Sequence, residues 1–143
     1  MQVTMRRVLE ACDALWPLME TRGLSGSAQY ALMRLWARLA GERAMYLAAE
    51  LKLARECGTL SEDGKISFES AEAAKEFAAR RDELLGEEVA IAPEQVRDEE
   101  ALWAAMTPKT LLQLEGLLDI DVRCSEESRV KEGRAVCDDE ICF

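Results

Sequence analysis

The hydrophobic and polar positions along the chain predict helices joined by short turns. Apolar residues recur every three or four positions over 5–20, a spacing that places them on one face of a helix. The same spacing continues over 27–57 and predicts one long helix. Ser25 or Ser27 precedes this second pattern, and either side chain can serve as the N-cap.

Two residues in these helical patterns predict where the helices bend or end. Pro17 lies inside the first pattern, and we expect it to kink that helix or end it near Leu15, because proline lacks a backbone N–H. Gly58 follows the long helix, and we expect it to end the helix in the left-handed conformation that glycine readily adopts.

The rest of the chain predicts shorter elements. Asp63-Gly64 lies between two short alternating segments and predicts a β-hairpin near 59–68. Thr107-Pro108 places a capping residue before a proline at the first helical position. In chain order, the elements expected after the hairpin are a helix over 70–85, an extended segment at 88–91, a helical turn over 98–106 and a last helix over 108–118.

These elements indicate a mainly α fold, a small helical bundle with one long central helix and a short β-hairpin. We expect a single helical domain over 1–120. The apolar content falls beyond it, so 121–143 is interpreted as an acidic, cysteine-containing C-terminal tail or appendage. The tryptophans on the apolar stripes are interpreted as core residues; they are Trp16, Trp36 and Trp103. Three arginines on the long helix are interpreted as part of an ion-paired helix surface, with Glu42 and Glu50 among them; they are Arg34, Arg38 and Arg43.

The distribution of charge along the chain points to a function, because the acidic residues are concentrated in its second part. The net charge is −10, yet residues 1–60 carry eight basic and six acidic side chains. Residues 61–143 carry ten basic and twenty-two acidic side chains, so the whole negative balance lies in the second part of the chain. Coulomb repulsion opposes phosphate binding there, so we expect no direct nucleic-acid contact. The same charge favours encounter with a basic protein surface.

The composition argues against catalysis. The chain has no histidine, which removes Ser-His and Cys-His nucleophile arrangements and histidine-based zinc sites. No nucleotide-binding loop is found in the sequence, and we expect no enzyme activity, no cofactor and no metal. Cys124, Cys137 and Cys142 leave three alternatives: unpaired thiols, a disulfide within the tail, or a thiolate metal site that would be one ligand short.

The candidate site is a set of acidic clusters in the second part of the chain. These clusters lack the spacing of a calcium-binding loop. Two interpretations remain: a solvated acidic surface and a partner-binding face. The residues interpreted as partner-binding are Glu87, Glu88, Asp98, Glu99, Glu100, Glu126, Glu127, Asp138, Asp139 and Glu140. No secretory signal and no apolar run long enough to cross a membrane are found in the sequence, and we expect the host cytoplasm as the location.

The order of segments resembles a family of small helical proteins of unknown function from tailed phages and prophages. The resemblance rests on the helix from Val8 to Met19, the long helix ending near Cys57, the Asp63-Gly64 turn and the leucine-rich segment from Leu111 to Leu118. It also includes Asp82-Glu83-Leu84-Leu85 followed by Glu88-Val89-Ala90-Ile91, and it covers residues 5–120. It implies a phage or prophage setting and no defined activity.

Two functions follow as hypotheses. The first is an anti-defence inhibitor, such as an anti-CRISPR, that binds a basic, nucleic-acid-handling protein such as a CRISPR effector or another nuclease through its acidic surface. The alternative is a virion tail or assembly accessory protein, in which the amphipathic helices form an oligomerisation surface. An enzyme is the third and least favoured interpretation, because a carboxylate pair would have to carry the chemistry.

Overall fold

The fold is mainly α-helical, as predicted, and is built around one helix of 32 residues. The structure, a computed structural model, describes residues 1–121. In chain order, its elements are β1 (Gln2–Thr4), α1 (Met5–Met19), α2 (Gly26–Cys57), β2 (Thr59–Leu60), β3 (Ile66–Ser67), α3 (Ala71–Leu85), β4 (Glu88–Ala90), β5 (Glu94–Arg97), α4 (Glu100–Ala105), α5 (Pro108–Gln113) and β6 (Leu118–Asp121).

Helix α2 begins at the predicted cap and holds the core together. The Ser25 hydroxyl accepts a hydrogen bond from the Ala28 amide at 3.1 Å, which pairs one of the free N–H groups of the first turn. One face of α2 is buried, and α1, α3 and β5 all pack against this helix. The α2 side chains buried on this face include Leu32, Leu35, Leu39, Tyr46 and Leu53.

Helix α1 does not end near Leu15, because it continues through Pro17 to Met19. Proline in the last turn loses only its own hydrogen bond, a smaller defect than in the middle of a helix. Leu18, the next residue, is 1% exposed and belongs to the main core. Packing of Leu18 therefore stabilises the turn that Pro17 weakens.

The predicted hairpin is present, and strands β2 and β3 pair antiparallel at its base. Gly64 has φ of +85°, which explains why glycine follows Asp63 in this turn. The prediction for Gly58 is wrong, because its φ of −153° is extended rather than left-handed. A Cβ on Gly58 would lie 2.6 Å from the Ser67 carbonyl oxygen, so glycine is needed for the close approach of the hairpin to the end of α2.

Two further strand pairs are not predicted by the sequence pattern. Strand β1 pairs antiparallel with β4, and β5 pairs parallel with β6. The last helix is also shorter than predicted: α5 ends at Gln113, Gly116 takes a φ of +77°, and Leu118 begins a strand. Leu114 and Leu117, which flank this left-handed glycine, are at most 1% exposed. Burial of these two leucines in the turn replaces the predicted last helical turns.

Two interpretations of individual side chains are also corrected. Trp16 and Trp103 are 50% and 40% exposed and therefore are not core residues. Trp16 instead packs against Trp36 at the edge of the α1–α2 interface, with ring centroids 5.2 Å apart and the rings tilted by 51°. Arg34 and Arg38 form their ion pairs across the fold, with Glu94 at the start of β5, rather than with acids of their own helix.

The C-terminal residues of the candidate site lie outside the described residues. The division of the chain at residue 120 stays a prediction, since the structure describes the chain only to residue 121. Outside it lie the three tail cysteines and the acidic residues Glu126, Glu127, Asp138, Asp139 and Glu140. Within 1–121, no helix combines the length and the apolar character needed to cross a membrane.

Candidate functional site

The predicted acidic residues that the structure describes lie in two separate places. Glu88 is opposite Thr4 in the β1–β4 pair, just before the start of α1. Glu99 is bonded to Ser25, which lies beyond the end of α1. Since α1 has 15 residues, the two places are separated by about 22 Å along its axis. The clusters around Glu88 and Glu99 therefore do not form one continuous acidic face.

The second of these clusters is largely used inside the fold. The Glu99 carboxylate accepts hydrogen bonds from the Ser25 amide, at 2.9 Å, and from the Ser25 hydroxyl. The Asp98 carboxylate accepts a hydrogen bond from the indole N–H of Trp103. A carboxylate beside the first turn of α2 also interacts favourably with the positive end of the helix dipole. Glu99 thus fastens the start of α4 to the beginning of α2, Asp98 bonds to a side chain of α4 itself, and Glu100 is the exposed member of this group.

Around the other cluster, which contains the predicted Glu87 and Glu88, the structure adds three acidic residues that the sequence analysis missed. Glu72, Glu76 and Glu83 are exposed along α3, and Glu87 is exposed just beyond its end. The spacings of four and seven residues place Glu72, Glu76 and Glu83 on one face of α3, away from the buried Phe77, and Glu87 follows just beyond the end of the helix. We call these four residues the acidic ridge. Its helical part, from Glu72 to Glu83, extends about 16 Å along the axis of α3.

Ion pairs leave the acidic ridge largely free. In the described part of the chain, none of its four carboxylates forms a salt bridge within 4.0 Å. Arg80, which lies between Glu76 and Glu83 on α3, is paired instead with Glu56 of α2 at 3.0 Å. That contact holds the pKa of Arg80 above its ordinary value, chiefly through the hydrogen bond to Glu56. The charge of Arg80 is therefore already compensated, whereas Lys75 beside Glu76 and Lys52, in the same pocket as Glu83 and Glu87, are positive charges near the ridge.

A groove of about 480 Å³ lies between α1, α2 and the end of α3. Its wall carries both signs of charge, including Arg43, Arg81 and Asp13. The Tyr46 hydroxyl lies here and donates a hydrogen bond to the Glu50 carboxylate. Burial, together with this bond, raises the pKa of Tyr46 to about 12. The phenol therefore stays protonated at neutral pH and acts as a hydrogen-bond donor rather than as a base.

An apolar pocket of about 430 Å³ continues this groove toward the end of α1, and Trp16, Trp36 and Cys12 line it. Cys12 is 2% exposed, and burial raises the pKa of its thiol. A protonated thiol is a poor nucleophile and a poor metal ligand, so Cys12 packs as a small apolar side chain. This pocket offers aromatic and apolar contacts rather than reactive groups.

Two further kinds of evidence bear on the candidate site, metal ligands and similarity to known proteins. Within residues 1–121, no group of three histidine, cysteine, aspartate or glutamate side chains is placed to hold a metal ion. Comparison of the chain with protein families, curated proteins and solved structures finds no match. The candidate site is therefore defined by its own geometry, as the acidic ridge of α3 with Glu88 beside it.

Proposed function

We propose that this chain is a non-enzymatic binding protein that uses the acidic ridge to contact a basic protein surface. The observation that carries the proposal is the alignment of three exposed carboxylates on one face of α3, with a fourth, Glu87, just beyond its end. Carboxylates fixed along a rigid helix attract a row of basic side chains without first having to be ordered. Glu88, exposed beside the end of the ridge, extends the same negative surface.

The proposed partner is a protein that handles nucleic acid, such as a CRISPR effector or another nuclease. Such proteins present basic channels for phosphate groups, and an acidic helix is complementary to a channel of that kind. The ridge carries one charge per five or six ångströms, roughly a third of the density of duplex DNA. A ridge of this density fits part of a channel, so the proposal includes the acidic tail as a second contact. The proposed setting is a phage or prophage protein acting in the host cytoplasm.

Charge reversal on the ridge tests this proposal. We expect Glu76→Lys with Glu83→Lys to weaken partner capture from host lysate about tenfold or more, because each change replaces attraction by repulsion. Glu62→Lys with Glu115→Lys is the matched control, since it alters the net charge equally at exposed positions off the ridge. Capture should also decrease steeply as ionic strength rises.

The structure determines which acidic residues make a clean test. Glu99→Lys would break the contacts to Ser25 and alter the fold as well as the charge. Ridge variants avoid this problem, because the ridge side chains are exposed. Equal capture by the ridge variant and its control would refute the ridge as the contact. Failure to recover any nucleic-acid-handling protein at low salt would refute the partner class.

A second candidate function is an accessory role in a phage tail or in its assembly. The observation that favours it is a group of large apolar side chains exposed on one side of α2, which are Tyr30, Met33, Leu47 and Leu51. Soluble monomers rarely expose several large apolar residues on one helix face without using them. Detection of the protein in purified particles, or of a stable ring by light scattering, would support this role. A monomer absent from particles would exclude it.

A further inference from the structure

Helix α2 has a second apolar stripe, on the face opposite its buried one. Its positions alternate in steps of three and four residues, the spacing of the contact seam of a coiled coil. We call this set the outer stripe: Tyr30, Met33, Ala37, Ala40, Ala44, Leu47 and Leu51. At 100° per residue all of these positions except Leu47 point away from the core positions Leu35 and Leu39. Leu47 lies at the edge of the stripe, where it also lines the groove beside Tyr46. The long helix is thus apolar on two sides.

The outer stripe is exposed in the described structure. Tyr30 and Met33 are 60% and 56% exposed, and Leu47 and Leu51 are 45% and 40% exposed. With the alanines between them, they offer roughly 500 Å² on each copy, so a pair would bury about 1,000 Å², the lower limit for a specific interface. No charged residue interrupts the stripe, although 32% of the chain is charged.

Side-chain size changes along the stripe in an ordered way. The large residues lie at the two ends, and the centre is small, with Ala37, Ala40 and Ala44. When two helices cross at an angle, their separation is smallest at the crossing point and grows toward the ends. Small residues at the centre and large ones at the ends fill such a gap evenly. The stripe therefore fits a crossing helix whose closest approach is near Ala40.

Gly41 is a second, independent indication that the closest approach lies near Ala40. Glycine inside a helix disfavours folding relative to alanine. Nothing within the described fold requires it, because a Cβ on Gly41 would meet no atom within 4 Å. Its place beside Ala37, Ala40 and Ala44 on the exposed side of α2 instead allows another backbone to approach closely. A partner helix explains a glycine that the monomer does not need.

We propose that the outer stripe is an interface between two copies of this chain, paired through α2 about a twofold axis near Ala40. A twofold interface needs a surface that is complementary to itself, and the stripe meets this need because its size profile is nearly the same in both directions from its centre. In an antiparallel pair, Tyr30 faces Leu51 and Met33 faces Leu47. Twofold pairing closes on itself, so it gives dimers rather than rings or filaments.

The charged residues beside the stripe fit the polar rim of such an interface. Arg34 lies 4.7 Å above the Tyr30 ring and is also paired with Glu94, so its charge is already compensated. Lys52 is exposed on the same side of the helix, and Arg43 on the other. Charges at the rim of an interface stay solvated and contribute little to its stability.

Sedimentation equilibrium of the full chain tests the proposal. We expect a monomer–dimer equilibrium with a dissociation constant on the order of 10 µM, as suits a small interface. Ala44→Arg places a charge at the centre of the stripe and should weaken association at least tenfold. Ala79→Arg is the matched control, because Ala79 is an exposed helical alanine on α3. A wild-type chain that stays monomeric to about 100 µM, a dimer equally stable in both variants, or a larger ring would overturn the proposal.

Gly41→Ala provides a second measurement that does not depend on disrupting the fold. Helix propensity alone should raise the folding equilibrium constant of the monomer about fivefold. In the proposed dimer the added methyl group occupies the closest approach of the two helices, so association should weaken even though folding improves. Improved folding with unchanged association would place the interface elsewhere and overturn the proposal.

Discussion

Replacing Glu94 by glutamine should destabilise the fold more than any change at an exposed glutamate. The Glu94 side chain is 11% exposed and begins β5. Its two carboxylate oxygens accept hydrogen bonds from Arg34 Nε at 2.8 Å and Arg38 Nη1 at 2.6 Å. These bonds join β5 to α2, because the arginines and the glutamate are 60 and 56 residues apart in the chain. Glutamine keeps the size of the side chain and removes its charge.

The expected magnitude follows from the exposure of the three side chains. A hydrogen bond to a charged group contributes about 1.5–3 kcal/mol when it is buried. Arg34 and Arg38 are 47% and 36% exposed, so solvent screening reduces both contributions. We therefore expect Glu94→Gln to lower the free energy of unfolding by about 2 kcal/mol, which lowers Tm by roughly 6 °C for a chain of this size.

Urea unfolding followed by circular dichroism measures this difference. Glu76→Gln is the matched control, because Glu76 is exposed in the middle of α3 and makes no salt bridge within the described residues. The control should change the free energy of unfolding by less than about 0.5 kcal/mol. A Glu94 variant as stable as the control would refute the conclusion that this ion pair fastens β5 to α2.

The same contact predicts how stability depends on pH. Burial alone would raise the pKa of Glu94, but the hydrogen bonds from Arg34 and Arg38 outweigh it and lower that pKa below the ordinary value. A lowered pKa in the folded state stabilises the fold above the ordinary glutamate pKa, near 4.3. This stabilisation is lost as the pH falls through the lowered folded pKa. The stability difference between wild type and Glu94→Gln should thus be constant from pH 7 to about pH 5 and disappear in stronger acid.

Two further predictions concern side-chain hydrogen bonds at the start and in the middle of α2. Ser25→Ala removes the N-cap of α2 and the donor to Glu99, and should lower the free energy of unfolding by about 1–2 kcal/mol, whereas Ser27→Ala should change it little. Tyr46→Phe removes the bond to Glu50 and should cost about 1 kcal/mol in the same urea assay. Ultraviolet titration of the wild type should show one tyrosine that ionises only near pH 12.

The elements predicted correctly are those determined by neighbouring residues. Ser25, Ser70 and Thr107 each accept a hydrogen bond from an amide three residues further on, so a local signal was enough to find three helix starts. Asp63-Gly64 identified the hairpin for the same reason. Both signals act within four residues of the chain, and no distant contact overrides them.

The strand pairs of β1 with β4 and of β5 with β6 could not be predicted in this way. The extended segment predicted at 88–91 is confirmed as β4, but the other three strands have only three or four residues, too few to show an alternating pattern. Their partners are distant in sequence: Val3 pairs with Val89, and Val96 pairs with Ile120. The leucine-rich pattern predicts that Leu118 belongs to the last helix, but packing against the core places it in strand β6.

The acidic residues of the candidate site were also only partly predictable from the sequence. Runs of acidic residues in the sequence predict a partner-binding surface that includes Asp98 and Glu99. The fold uses both of these side chains for its own contacts. Residues adjacent in a helix point in different directions, so a run is a poor guide to a helical surface. The helical spacing of Glu72, Glu76 and Glu83 was a better signal and was present in the sequence. Because Phe77 is the buried residue of α3, the face that carries these three glutamates is the exposed one.

The acidic ridge and the outer stripe lead to one consequence when they are considered together. The ridge has four carboxylates, and a single ridge of this charge density gives weak, salt-sensitive binding. Two copies joined through α2 would carry two ridges at a fixed separation. If a partner presents two basic sites at that separation, the second contact becomes intramolecular, and the apparent affinity rises about a hundredfold or more without any new contact. Ala44→Arg, which leaves the ridge intact, should then weaken partner capture as well as self-association. Weakened self-association with unchanged capture would mean that each ridge acts alone.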